Sequence, residues 1–207
     1  VPLPCSWAHI SEVVIALLET LGRVHAAFVV HRDLKPANVL VTHDKHVRLL
    51  DFGVAYRHGP LGRDTQDNLE IPGTPAYMAP EQLQRRPITE RTDLYSLGLM
   101  LYEALSGKLP HVDGGTSLLV ARLNKPAPPL REVAPSVPEN TARLIDRLLA
   151  IDPADRPASA FEVAAILRGE GAVEDPLFLW LGPRADFLSV LNAARAGRSV
   201  DVVGPRG

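Results

Sequence analysis

Cysteine is almost missing from this chain: Cys5 is the single one among 207 residues. One thiol excludes an intrachain disulfide framework and fits a reducing compartment, so a cytoplasmic location is expected. An excess of one charge sign is also missing. Twenty-two Lys and Arg stand against 24 Asp and Glu, a net charge of −2, and no strong field marks a nucleic-acid binder. No clean apolar run of membrane-spanning length occurs, because the longest candidate, residues 13–30, carries Glu19, Arg23 and His25. The opening Val1-Pro2-Leu3-Pro4 has neither the basic region of a signal peptide nor an initiating Met, so Val1 is expected to be an internal cut or a fragment end. Internal repeats and low-complexity tracts are lacking too. What is present is an ordinary globular balance, 46% hydrophobic and 22% charged. The length suits one large domain or one and a half.

Helical spacing dominates the chain. Apolar residues at Val14, Ile15, Leu17, Leu18, Leu21, Val24 and Ala26 predict a helix over 11–27 with a broad buried face, Ser11 being the candidate N-cap. Residues 93–105 are apolar nearly all round, which predicts a central buried helix closed by Gly107 and Pro110. Further helices are expected over 118–123, 139–150 and 159–167. Residues 38–41 and 46–50 read as two short strands around a polar turn at 42–45. Residues 54–75 show no periodicity and read as one long loop. Five prolines within 126–138 predict an extended surface loop. After a charged, glycine-containing stretch at 168–175, residues 186–196 read as a helix and 199–203 as a strand. In all, a mainly α architecture with one small β-hairpin is expected.

The densest chemistry lies in His31-Arg32-Asp33-Leu34-Lys35-Pro36-Ala37-Asn38, followed 13 residues later by Asp51-Phe52-Gly53. Asp33 can point a hydroxyl in line and accept its proton, help typically worth about 10²–10⁴-fold. Lys35, two residues on in an extended loop, projects to the same side and can neutralise a transferring phosphate. Asn38 offers a neutral oxygen and Asp51 a charged one, the ligands a hard divalent cation wants. The hairpin would deliver these two side chains from adjacent strand ends.

This string closely resembles the catalytic and magnesium loops of protein kinases, themselves the reference case for this kind of phosphoryl transfer. A second match is Gly73-Thr74-Pro75-Ala76-Tyr77-Met78-Ala79-Pro80-Glu81, which resembles the peptide-substrate platform and its Ala-Pro-Glu anchor. Thr92-Asp93-Leu94-Tyr95-Ser96-Leu97-Gly98 and Asp152-Pro153-Ala154-Asp155-Arg156-Pro157 extend the likeness, which covers about residues 3–168 and is closest to bacterial serine/threonine kinases. The resemblance implies ATP with Mg²⁺ or Mn²⁺ as cofactors, and a protein substrate with a serine or threonine acceptor, since Lys35 follows the base by two positions. It implies that His31 and Phe52 stack in a hydrophobic column and that Leu40 floors the adenine ring. Thr74 would bond Asp33 and Lys35. Glu81 would pair with Arg156, because an unpaired buried carboxylate is costly. Asp93 would bond the catalytic-loop backbone. Arg32 beside the base implies control by phosphorylation of the long loop, with Thr65 as candidate acceptor. Two departures stand out: Phe28 where a glycine is common, and His111 where an aromatic is usual.

By the same resemblance, residues 1–168 correspond to the carboxy-terminal lobe of an α+β family fold. Residues 169–185 read as a linker. Residues 186–207, ending in Gly204-Pro205-Arg206-Gly207, resemble the start of a phosphate-loop nucleotidase. No glycine-rich loop, strand lysine or partner glutamate precedes the first helix, so the amino-terminal lobe is expected to be missing. A catalytically silent binding module fused to an ATPase is the alternative, although Asp33, Lys35, Asn38 and Asp51 are all present. A small-molecule phosphotransferase fits less well, given the platform around Thr74 and Glu81. The 207-residue chain by itself is therefore expected to bind ATP–magnesium weakly; a calorimetric titration that finds tight binding overturns this.

Overall fold

The computed structural model describes residues 3–52, 56–57, 74–112 and 118–170. The expected linker, the phosphate-loop segment at 186–207 and Thr65 lie outside the described residues. Within them the chain is mostly helical with two small two-stranded sheets.

Helix α1 spans Trp7–Ala26. It begins a turn earlier than the expected start at Ser11, with Ser6 as N-cap. Trp7 and Ile10 pack on the core and carry the apolar stripe of Val14, Leu17, Leu18 and Leu21 one turn further back. Strand β1, Val29–Val30, follows across Phe28. Phe28 has φ of +59° and is 51% exposed. That left-handed backbone is the reason a glycine suits the position. After residues 31–35 a 3₁₀ turn over Pro36–Asn38 leads into β2, Val39–Val41, which pairs antiparallel with β3, Val47–Leu49, in the register Val39↔Leu49. Leu49 and Val47 are buried in the core, while Leu40 and Val41 are exposed.

The segment expected as one uninterrupted loop contains a strand. Tyr56–Arg57 forms β4 and pairs with β1, Val30 opposite Tyr56. Two residues are too few for alternation to show, and the backbone groups of β1 supply the reason for the pairing.

A 3₁₀ turn at Pro75–Tyr77 and the short α2, Pro80–Leu83, precede α3, Glu90–Ser106. Buried residues surround α3 on all sides, from Thr92, Asp93 and Leu94 to Tyr102 and Leu105, and Gly107 ends it at φ +85°. Helix α4 covers Leu118–Asn124 and α6 covers Glu139–Leu148. The proline-rich stretch between them is not simply an extended surface loop: it holds α5, Leu130–Val133, with Leu130, Ala134 and Val137 buried. The carboxylate of Asp146 on α6 accepts the Leu130 N–H at 2.9 Å, a long-range bond with no local signature. A last 3₁₀ turn at Pro153–Asp155 leads to α7, Ala160–Arg168, capped by the Ser159 hydroxyl.

The core is one contiguous cluster built on α1 and α3, with α7 closing over α1 and α6 over α3. At the α3–α6 crossing a Cβ added to Gly98 would sit 2.9 Å from Leu148 Cβ and 3.1 Å from a Leu149 methyl. Leu148 Cβ is tied to its backbone and cannot swing away. Overpacking of about 1–3 kcal/mol outweighs the ~1 kcal/mol helix-propensity gain of replacing glycine. Gly98→Ala is expected to lower unfolding stability by roughly 1 kcal/mol, read from the denaturant midpoint at unchanged slope.

Candidate functional site

The loop that begins at His31 is held from behind by α3. Asp93, fully buried, accepts the His31 N–H at 2.8 Å on one oxygen and the Arg32 N–H at 2.9 Å on the other. His25, near the end of α1, adds a third bond from Nε2 to Asp93 at 2.8 Å. Burial would raise the Asp93 carboxyl, but the His25 ring and the His31 bond outweigh it and hold it below the usual carboxylate range. These bonds fix Arg32 at φ +69°, a region a non-glycine residue rarely adopts.

On this frame Asp33 collects three donors. Lys35 Nζ donates to its Oδ2 at 2.7 Å, Asn38 Nδ2 to the same oxygen at 3.2 Å, and the Thr74 N–H to Oδ1 at 2.6 Å. Lys35 also donates to the Thr74 hydroxyl at 2.6 Å. Partial burial pushes the Asp33 carboxyl up; the Lys35 and Thr74 bonds prevail and keep it lowered, hence ionised at neutral pH. Asn38 Nδ2 further donates to the Asp33 carbonyl at 2.8 Å. Both acceptors require the NH₂ end, which turns the Asn38 carbonyl oxygen away from Asp33.

The second loop docks on the first through His31. The Leu50 carbonyl accepts His31 Nε2 at 3.0 Å, the Leu50 N–H donates to the Asn38 carbonyl at 2.9 Å, and the Phe52 ring lies 4.8 Å from the His31 ring at 52°. Asp51, exposed and at φ +59°, sits between these two anchored neighbours. Leu40 is 44% exposed on β2.

The platform segment is held from below. Glu81 and Arg156 form a bidentate pair at 2.7 and 2.9 Å, both buried. Thr92 Oγ1 donates to Glu81 at 2.8 Å, and the Arg156 guanidinium stacks 4.7 Å over the Tyr95 ring. Thus Asp33, Lys35, Asn38 and Thr74 form one hydrogen-bonded cluster, while Glu81, Asp93 and Arg156 lie beneath it as supports.

Sequence reasoning missed four members of this network. His25 continues the stripe Val14, Leu18, Leu21 at helical spacing, and a polar residue on a buried stripe was the available signal. Gln82 accepts the Ala79 N–H at 3.0 Å and donates to the Arg32 carbonyl at 2.8 Å. Arg122, 1% exposed, donates to the carbonyls of Pro75, Ala76 and Met78 at 2.8–3.0 Å. Tyr77 donates to Glu103 at 2.6 Å. Arg122 and Tyr77 have no local pattern, since their partners are distant in sequence; Gln82 had a local signal, a glutamine three residues after the N-cap Ala79, but its bond to Arg32 spans 50 residues.

A carboxyl held low in the folded state contributes stability above its unfolded value, about pH 4. That contribution is lost as the pH falls through the lower folded value. Asp93→Asn is therefore expected to cost on the order of 3 kcal/mol at neutral pH. Its deficit against the parent should narrow below about pH 4. Denaturation curves from pH 3 to 7 check this; a constant deficit would contradict it.

Comparison with known proteins identifies the family. The profile described as the protein kinase domain matches residues 4–166. Serine/threonine-protein kinase PknB of Mycolicibacterium smegmatis is 33% identical over 202 residues, 94% of this chain. Pkn1 of Myxococcus xanthus is 38% identical over 161 residues and PknA of Mycobacterium tuberculosis 39% over 162, covering 75% and 74% of this chain. The aligned segments span 32%, 23% and 36% of those three relatives. With most of its length inside that profile, the chain belongs to the protein kinase domain family.

Proposed function

We propose that the protein transfers the terminal phosphoryl group of ATP to serine or threonine hydroxyls of protein substrates. The carrying observation is the cluster in which one carboxylate, Asp33, is bonded at once to Lys35, Asn38 and the Thr74 backbone. It joins a proton acceptor, a cation and the peptide platform within single hydrogen bonds. Supporting it, the relatives named above are serine/threonine-protein kinases.

In this reading Asp33 orients the acceptor hydroxyl and takes its proton, for which the ionised carboxylate is the required form. Lys35 balances charge on the migrating phosphoryl group and, through Thr74, keeps the platform in register with the base. Asn38 and Asp51 fit a divalent cation: the amide carbonyl of Asn38 is turned away from Asp33 by its NH₂ bonds, and Asp51 is an exposed carboxylate two residues past the paired strand. These two would hold Mg²⁺ or Mn²⁺, which when bound neutralises phosphate charge. Leu40 offers an exposed apolar surface to an adenine ring. Glu81, Asp93 and Arg156 hold geometry, and Arg32 would receive a phosphorylated loop residue such as Thr65.

Replacing Asp33 by Asn keeps the size but removes the proton acceptor. In the intact protein, with ATP–magnesium and a serine/threonine protein substrate, Asp33→Asn is expected to slow transfer by about 10²–10⁴-fold at unchanged circular dichroism. Transfer at the parent rate would remove Asp33 from the role of base.

A further inference from the structure

The peptide plane that leads into Asp33 has two edges, the Arg32 carbonyl and the Asp33 N–H. The N–H edge is loosely held: its acceptor, His31 Nδ1, is 3.4 Å away. The carbonyl edge is held by Gln82 Nε2 at 2.8 Å. Resting on the phosphotransfer reading, we infer that Gln82 is a positioning residue for the base, setting the plane from which the Asp33 carboxylate projects.

Three observations support the assignment. Gln82 is 5% exposed, and a buried amide is retained only where its hydrogen bonds are made. Its two ends are committed differently: Oε1 accepts the Ala79 N–H, and Nε2 donates to Arg32. Ala79 N-caps α2, so the same side chain links the helix that follows the platform to the loop that carries the base. The Arg32 peptide units are thereby gripped from opposite sides, at N–H by Asp93 and at C=O by Gln82, across a residue at φ +69°. A backbone in that region holds its conformation only when its surroundings over-determine it. Thr74 bonds the far side of Asp33, so platform and base are tied twice, once at the carboxylate and once at its peptide.

The two ends of the amide permit a discriminating test. Gln82→Glu keeps the acceptor for Ala79 but faces the Arg32 carbonyl with a carboxylate, which cannot donate until it is protonated. Gln82→Leu removes both bonds at any pH. In the intact protein, kcat is expected to fall about 10- to 100-fold in both variants at pH 8, as a small misplacement of the base would produce. KM for ATP and for the protein substrate should be unchanged. Measured against the unsubstituted protein at each pH, Gln82→Glu should recover as the pH falls toward 5.5, while Gln82→Leu stays low. Amide exchange supplies a readout independent of turnover. Exchange at Asp33 should accelerate roughly tenfold in Gln82→Leu, and in Gln82→Glu only at the higher pH. Variants that melt earlier yet keep the parent kcat, or a Gln82→Glu profile as flat as that of Gln82→Leu, overturn the inference. Should the unsubstituted protein transfer no phosphoryl group, the functional reading fails. Asp33 exchange unaltered in both variants then overturns the positioning role separately.

Discussion

A single buried carboxylate organises this molecule. Asp93 lies inside a helix that is covered on every side, and an ion there is tolerated only if its oxygens are fully engaged. Its engagements are structural instructions. The two loop N–H groups hold the backbone of His31 and Arg32 against α3, and His25 brings the end of α1 to the same point. The end of α1 and the loop that follows it are thus both tied to one charge more than 60 residues further along the chain. Asp33, Lys35 and Asn38 all follow within seven residues of that anchor, so their positions inherit its precision.

The platform obeys a parallel rule with the opposite partner. Arg156 is enclosed and spends its donors on both Glu81 oxygens and on the carbonyls of Arg91, Ala150 and Ile151. Such a pair gives little net stability against an apolar replacement, but removing one partner costs about 3–5 kcal/mol. Its consequence is positional: the pair ties α2 to the segment that carries Arg156. Arg122 does the same without a carboxylate, converging three peptide dipoles of the platform on one guanidinium. Two arginines and one glutamate therefore set the height and tilt of residues 75–81 relative to Asp33.

The candidate site was legible because its chemistry is compressed: carboxylate, cation and amide stand within six residues, and the second carboxylate arrives after one hairpin turn. The hairpin and the longer helices were legible for a different reason, the periodicity of Leu and Val over many residues. What escaped was held together by distance. The α5 turn needs Asp146 to hold Leu130, and β4 exists because β1 has backbone groups to pair. The first helix runs back to Trp7 because the core accepts Trp7 and Ile10, while a serine at position 11 looked like a start on local grounds alone. Among site residues, Gln82 and Arg122 act through backbone groups, which every residue possesses, so nothing in their partners' side chains announces them.

The two loops of the site share one further constraint. Arg32 and Asp51 both hold left-handed backbone, at +69° and +59°. Neither is a glycine, so both conformations carry a cost on the order of 1–3 kcal/mol. His31 stands between them. Its N–H is bound to Asp93, its ring nitrogen donates to the carbonyl of Leu50, and its ring face meets Phe52. One residue therefore braces the turn that presents Asp33 and the turn that presents Asp51. A disturbance of the second loop that pulls Phe52 away or rotates the Leu50 peptide must loosen His31, and with it the backbone that carries the base. The turns that carry residues 33 and 51 are consequently not two independent placements: His31 is bonded to Asp93 on one side and to Leu50 and Phe52 on the other, so each turn is braced against the other.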